Sequence, residues 1–129
     1  MQQDILADAL STVKNARRTG ENEAVISPTS GLVKDVLKVL QENGYIGVFE
    51  EIEDGKGGEF RVEVNNRLND CNAVKPRFYV GKDEYRDYEK RFLPAQGFGE
   101  LIVTTPNGVM NHEQAREEGE GGALLAYVY

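Results

Sequence analysis

Apolar side chains recur at helical spacing in two stretches of the first half of the chain. The first predicts a helix that begins after Asp4, a residue type suited to capping it. The second predicts a helix between Ser30, again a capping residue, and the pair Asn43-Gly44, which is typical of a helix end. Strand-like patterns fall outside these helices, at residues 24–27, 45–52 and 60–64. Residues 1–66 are therefore predicted to form an N-terminal α-β-α-β-β lobe.

Continuous or alternating apolar runs dominate the second half. They predict strands over residues 78–80, 101–103 and 123–129. In the last of these, strand alternation puts Leu124, Ala126 and Val128 on one face. Residues 67–129 therefore read as a mostly β C-terminal lobe, and the whole chain as an α+β protein in which the N-terminal lobe packs on this second lobe.

The segment between the last two strands carries turn and capping residues. Pro106-Asn107-Gly108 is turn chemistry, because Pro fixes φ and Gly accepts a positive φ. Asn111 can then cap a short helix that runs through Arg116. The charge-rich residues 82–91 are expected to be solvated, salt-bridged surface.

Composition restricts the class of protein. The chain has 129 residues, one cysteine and no apolar run of the length a membrane span needs, so it is expected to be cytoplasmic, without disulfides and without contact with a membrane. No motif of catalytic or metal-binding spacing is present. His112, the only histidine, is expected to be a surface or helix-capping residue. The chain is thus predicted to be no enzyme, with no cofactor and no metal.

Charge argues against a nucleic-acid partner. The 15 basic and 22 acidic residues give a net charge of −7, whereas nucleic-acid-binding proteins usually carry a basic surface. Salt offers a way to reconcile the two, since the Debye length falls to about 3 Å at 1 M. We therefore hypothesise a high-salt origin, in which close hydrogen bonds and shape replace long-range attraction.

Several side chains nevertheless suit contacts with phosphate and ribose. The turn offers the hydroxyls and amide of Thr104, Thr105 and Asn107. Ser30 at a helix start with Lys34 one turn later can hold a phosphate. Other candidates are Asn15 and Arg17 in the first helix and Lys75 and Arg77 in an extended segment. Each of these sites also has a purely structural interpretation. The turn can be an ordinary β-turn-α connection, the lysines of the second helix can be solvated, and the first helix can be a capped amphipathic helix.

The order Gly-x-x-(two aliphatics)-Thr-Thr-x-x-Gly-(two apolar)-x-x-x-x-Ala-Arg, which begins at Gly99, resembles the signature of the S-eight family of small-subunit ribosomal proteins. Residues 4–16, 28–37 and 43–46 are similar to the family's first helix, its second helix and the exit from that helix. The Lys75-Pro76-Arg77-Phe78 segment and the ending at 121–129 resemble its archaeal branch. The resemblance covers essentially the whole chain.

This resemblance implies a function and partners. The chain would bind the central domain of small-subunit ribosomal RNA, support its assembly and lie beside other small-subunit proteins. In some members the same surface binds messenger RNA of the operon. The protein is expected to be a monomer outside the ribosome. The alternative is an acidic protein-interaction module of the same fold with little RNA affinity.

The resemblance also implies which residues contact RNA, with the turn as the main contact loop. Three positions bear on how closely the family pattern is followed. Pro106 replaces a usual serine, and Ala123 replaces a polar or charged residue. Asn107 stands where a basic or neutral polar residue is usual, so it offers no charge-assisted contact with phosphate. The expected RNA-contact residues, together with the nearby cations, are Asn15, Arg17, Ser30, Lys34, Lys75, Arg77, Thr104, Thr105, Asn107, Gly108, Gly121 and Gly122.

Overall fold

The structure is a computed structural model that describes residues 4–95 and 97–129. It divides into two compact units, Met1–Cys71 and Asn72–Tyr129. None of the helices in the described ranges combines the length and the apolar character that crossing a membrane requires.

The first unit has the predicted α-β-α-β-β order. Both helices begin as the sequence indicates, since the side chain of Asp4 accepts a hydrogen bond from the Ala7 N–H and that of Ser30 accepts one from the Val33 N–H. Gly44, with φ +80°, follows the second helix. The elements of this unit are α1 (Ile5–Arg18), β1 (Glu23–Ile26), α2 (Gly31–Glu42), β2 (Ile46–Ile52) and β3 (Glu59–Val64).

The three strands of the first unit form an antiparallel sheet in the order β1-β3-β2. Alternate residues of β3, such as Phe60 and Val62, are buried, while Arg61 between them is exposed. The apolar stripes of both helices are buried as well. The strand alternation and the helical stripes that were read from the sequence therefore build the core of this unit.

The second unit is a five-stranded sheet with two short helices. Four strands follow the order β4-β8-β6-β7, and β5 also pairs with β8. Antiparallel pairing joins β6 to both β7 and β8. The elements are β4 (Cys71–Ala73), β5 (Tyr79–Val80), α3 (Tyr85–Phe92), β6 (Glu100–Thr105), β7 (Gly108–Asn111), α4 (His112–Glu117) and β8 (Gly122–Val128).

Three details of the second unit differ from the sequence interpretation. Residues 82–91 are not simply solvated surface, because most of them belong to α3, in which Tyr85 and Glu89 are buried. The turn leads into a further strand, β7, before α4 begins. A register shift in β8 pairs Ala126 with Ile102 but Leu124 with Val103, and Leu124 joins the core cluster of Leu101 and Val103. Leu124 therefore does not share a face with Ala126, because a β-bulge interrupts the alternation.

Candidate nucleic-acid interface

The predicted contact loop is the corner of the β6–β7 hairpin. Thr105 pairs with Gly108 across the two strands, so Pro106 and Asn107 form a two-residue turn. Gly108 has φ +120°, which only glycine adopts without strain. Pro106, Asn107 and Gly108 are exposed. The turn therefore projects from a rigid sheet into solvent.

Thr105 holds this turn together from inside. Its hydroxyl donates a hydrogen bond to the Gly108 carbonyl at 2.9 Å and accepts one from the Asn107 N–H at 3.1 Å. The residue is only 8% exposed. The expectation that Thr105 is presented on an exposed loop is wrong, because its hydroxyl points back to the backbone of the turn. Thr104 is half-buried on the same strand.

Asn107 is hydrogen-bonded to Glu118, an acidic side chain whose position near the turn was not predicted. Its amide donates to a Glu118 carboxylate oxygen at 3.2 Å, and the Gln114 amide donates to the other oxygen at 3.1 Å. Glu118 is exposed at the end of α4. The charged group that holds the turn is therefore an acid, which would repel a phosphate at low salt.

The paired glycines Gly121 and Gly122, at the start of β8, are buried and lie where no side chain fits. A Cβ on Gly122 would overlap the backbone carbonyl of Thr104, and one on Gly121 would come within 2.6 Å of the Val80 carbonyl. Gly121 also lies under the hydroxyl of Tyr79, a side chain that is 69% exposed. Gly122 thus meets the candidate contact loop directly, and Tyr79 is an exposed neighbour that the sequence did not single out.

The other candidates of the second unit, Lys75 and Arg77, are exposed on the segment before β5.

The candidates of the first unit lie at helix ends. The Ser30 hydroxyl is engaged as the α2 cap, and Lys34 forms an exposed ion pair with Glu51 at 3.3 Å. On α1, Asn15 is exposed and Arg17 is half-buried. Lys34 is therefore partly neutralised, and the Ser30 hydroxyl already has a structural partner.

His112 is buried, not a surface residue as expected. Its side chain is 2% exposed. Nδ1 accepts a hydrogen bond from the Leu101 N–H at 3.0 Å, and Nε2 lies 2.7 Å from a carboxylate oxygen of Glu89. The proton of the neutral ring therefore lies on Nε2 and is donated to Glu89. Burial lowers the pKa of His112, although the carboxylates of Glu89 and Glu113 oppose the shift.

Glu100 completes this cluster from strand β6. One of its carboxylate oxygens is buried without a hydrogen-bond partner among the described residues. Burial raises its pKa to about 7, and the carboxylates of Glu113 and Glu89 add to the rise. Glu100, His112 and Glu113 bring possible metal-ligand atoms within 4.8 Å of one another. Because the Leu101 N–H occupies the Nδ1 lone pair, the ring would have to lose a buried hydrogen bond to bind an ion there, and we interpret the cluster as structural.

We expect Glu100→Gln to stabilise the protein by about 1 kcal/mol at pH 8. Because the pKa of this carboxyl is higher in the folded state than its ordinary value of 4.5, its contribution to stability is present below pH 4.5 and is lost as pH rises towards 7. The amide keeps the shape and carries no charge. Urea unfolding from pH 5 to pH 8 measures the difference between variant and parent.

Two outcomes decide this prediction. The gain in the free energy of unfolding should be small at pH 5, grow as the pH rises to about 7 and be largest at pH 8. Glu117→Gln, at an exposed position of α4, is the control for removing one charge from an acidic protein. A gain that is equal at both pH values, or equal in the control, would contradict a raised pKa at Glu100.

Known proteins place this chain in the class of structural proteins of the small ribosomal subunit. A family model described as Ribosomal protein S8 matches residues 4–129. A curated relative, "Small ribosomal subunit protein uS8" of Methanococcoides burtonii, is 52% identical over 126 residues, which is 98% of this chain and 97% of the relative. The chain therefore belongs to the ribosomal protein S8 family.

This membership confirms the resemblance that was read from the motif and from the rest of the chain, including its likeness to an archaeal member. The family is one of ribosomal structural proteins and not of enzymes, and its place is the ribosome of the cytoplasm.

Proposed function

We propose that the chain binds the central domain of small-subunit ribosomal RNA and supports the assembly of that domain. The observation that supports this most is the exposed Pro106–Asn107 corner, which Thr105 holds rigid. A preformed corner loses little conformational entropy on binding, and it can enter an irregular RNA groove that is read through shape and backbone.

In this proposal the RNA contacts the corner of the turn and the backbone next to the glycine pair. Thr104, Asn107 and Gly108 offer polar atoms at the corner. Gly121 and Gly122 are themselves buried, and their lack of a side chain lets β8 pack closely on Thr104 and so positions the corner. Thr105 contributes mainly by shaping the turn. Asn15, Arg17, Ser30, Lys34, Lys75 and Arg77 are proposed as additional contacts with phosphate.

Thr105→Ala should weaken binding to a stem fragment of the central domain about tenfold, roughly 1.4 kcal/mol. The substitution removes both hydrogen bonds that fix the turn. Thr105→Ser keeps the hydroxyl and should bind within about threefold of the parent. Pro106→Ala should lose less than Thr105→Ala. Isothermal titration calorimetry with the RNA fragment gives the affinities, and circular dichroism confirms that each variant is folded.

Equal losses for Thr105→Ala and Thr105→Ser would contradict a role of the hydroxyl in shaping the turn. Equal losses for Thr105→Ala and Pro106→Ala would show that the conformation of the whole loop carries binding. A parent protein with no affinity for the fragment at any salt concentration would remove the proposed function itself.

Glu118 favours a second candidate function, because an acid beside the turn suits a basic protein partner better than a phosphate. The two functions predict opposite results for Glu118→Gln. RNA affinity at low salt should rise if the turn binds RNA, and the gain should shrink towards molar salt.

Under the high-salt hypothesis the parent should keep its RNA affinity in molar salt, and a steep loss would remove that hypothesis.

Two finer points belong to the same proposal. The surface that binds ribosomal RNA is proposed to bind messenger RNA of its own operon as well, where that RNA repeats the shape of the stem. Outside the ribosome the chain is proposed to be a monomer, which sedimentation equilibrium tests.

A further inference from the structure

A groove of about 690 Å³ lies in the second unit, between the α3 helix and the segment that leads from β4 to β5. Five aromatic rings line it: Phe78, Tyr79, Tyr88, Phe92 and Tyr127. The rest of the lining consists of Asn72, Ala73, Val74, Lys75, Pro76 and Arg91. The proposed RNA contacts at the hairpin turn do not line this groove.

The charge of the groove is opposite to that of the protein. Among the residues that the structure describes, its lining includes Lys75 and Arg91 but no carboxylate, although 22 of the 129 residues of the chain are acidic. Arg91 is exposed, and its guanidinium lies over the Phe92 ring, 5.4 Å from the centroid. A cationic, acid-free depression on an acidic protein is complementary to an anionic partner.

The rings indicate which kind of anionic partner fits. Phe78 packs against Tyr88 with centroids 5.0 Å apart, and Phe92 stacks on Tyr127 at 5.4 Å. Because these four rings are half-buried and paired with one another, they leave less room for stacking a nucleobase than isolated rings would. Aromatic residues and arginine without Asp or Glu are, however, the composition typical of the core of a protein–protein interface.

We propose that this groove is a docking site for an acidic peptide segment of another protein, in which carboxylates flank an apolar side chain. The apolar side chain packs among the rings between α3 and β8, and the carboxylates reach the cations at the rim. The inference goes beyond RNA binding and does not depend on it. Lys75 takes part in both proposals, so the test rests on Arg91.

A peptide of alternating glutamate and leucine, titrated into the ¹⁵N-labelled full chain, should shift the resonances of the groove residues. Arg91→Ala should weaken this binding by roughly three- to tenfold, because it removes the guanidinium at the rim. The matched control is Arg86→Ala, an exposed position of the same helix that does not line the groove. The control should bind within about twofold of the parent.

Three results would overturn the proposal: no shift in the groove at millimolar peptide, equal affinity for the same peptide with lysine in place of glutamate, or displacement of the peptide from the groove by a single-stranded oligoribonucleotide. A second measurement uses assembled small subunits. A photoreactive group introduced at Ala73, a half-buried lining residue whose replacement leaves Arg91 in place, should form a crosslink to a protein segment in which Asp or Glu flanks an apolar residue. Crosslinks to RNA alone would contradict the proposal.

Discussion

His112→Ala is expected to lower the free energy of unfolding by about 3–5 kcal/mol, because it removes two buried hydrogen bonds, one of them to a carboxylate, and leaves a cavity. The imidazole joins three elements: it is the first residue of α4, it accepts a hydrogen bond from the Leu101 N–H on β6, and it donates one to Glu89 on α3. Its removal leaves a buried N–H without an acceptor. The Glu89 side chain, which is only 10% exposed, also loses its nearest hydrogen-bond donor. Urea unfolding at pH 7 measures the loss.

Two further variants separate the contributions of the ring. His112→Asn places an acceptor near the position of Nδ1, and His112→Gln places a donor near the position of Nε2, so each should recover part of the loss. Arg116→Ala is the control on the same helix, because Arg116 is 41% exposed and lies 3.7 Å from Glu89. Its effect should stay below about 1 kcal/mol. A loss of similar size for His112→Ala and Arg116→Ala would show that the histidine is not the centre of the cluster.

The lowered pKa of His112 determines how the contribution of this cluster to stability changes with pH. Because the pKa of the ring is lower in the folded state than its ordinary value of 6.5, protonation opposes folding, and the contribution of His112 to stability is lost as pH falls below 6.5. Glu100 acts in the opposite direction, since its contribution is lost as pH rises towards 7. The two groups therefore compensate each other in part between pH 5 and pH 7.

The first unit could be predicted well because its signals are local. Asp4 and Ser30 cap helices through their own side chains, within three residues along the chain. The alternation of Phe60, Arg61 and Val62 along β3 needs only the two-residue period of a strand. Local capping and periodicity are the features that sequence reasoning captures, and the α-β-α-β-β order followed from them.

The second unit was harder because its key contacts join distant parts of the chain. His112 contacts Glu89 on helix α3, 23 positions earlier in the sequence, and Glu100 on strand β6. Charged residues alone predict surface, so neither the helix that carries Glu89 nor the burial of the histidine could be read from their own segments. The bulge that moves Leu124 to the face of Val103 likewise depends on pairing with β6.

The candidate site was predicted in outline but not in its chemistry. The turn at Pro106–Asn107 was predicted from its residue types, whereas the strand β7, which makes the turn a hairpin corner, was not. The direction of the Thr105 hydroxyl depends on the backbone of the turn, and the position of Glu118 depends on where α4 ends. The motif identified the family and the loop, whereas the roles of the individual side chains required the coordinates.

Gly122→Ala is expected to lower the free energy of unfolding by about 2–3 kcal/mol, the typical cost of overpacking. The added methyl group would overlap the carbonyl of Thr104 and come within 3.1 Å of the Thr105 side chain. Because the Thr104 carbonyl is backbone, it cannot rotate away, so β6 and β8 must separate near the turn. The turn would then move relative to β8. Affinity for the central-domain RNA fragment, calculated from the concentration of folded protein, should therefore fall more than tenfold.

Gly31→Ala is the matched control for this change. Gly31 begins α2, its φ is not positive and a Cβ there would meet no atom within 4 Å, so the same added methyl group should leave stability unchanged or raise it by up to about 1 kcal/mol. Thermal unfolding and calorimetry with the RNA fragment measure both quantities for both variants. A Gly122→Ala protein that is destabilised but binds RNA like the parent would show that β8 supports the fold without positioning the turn. The geometry of the turn would then depend on the two hydrogen bonds of Thr105 and on the one between Asn107 and Glu118.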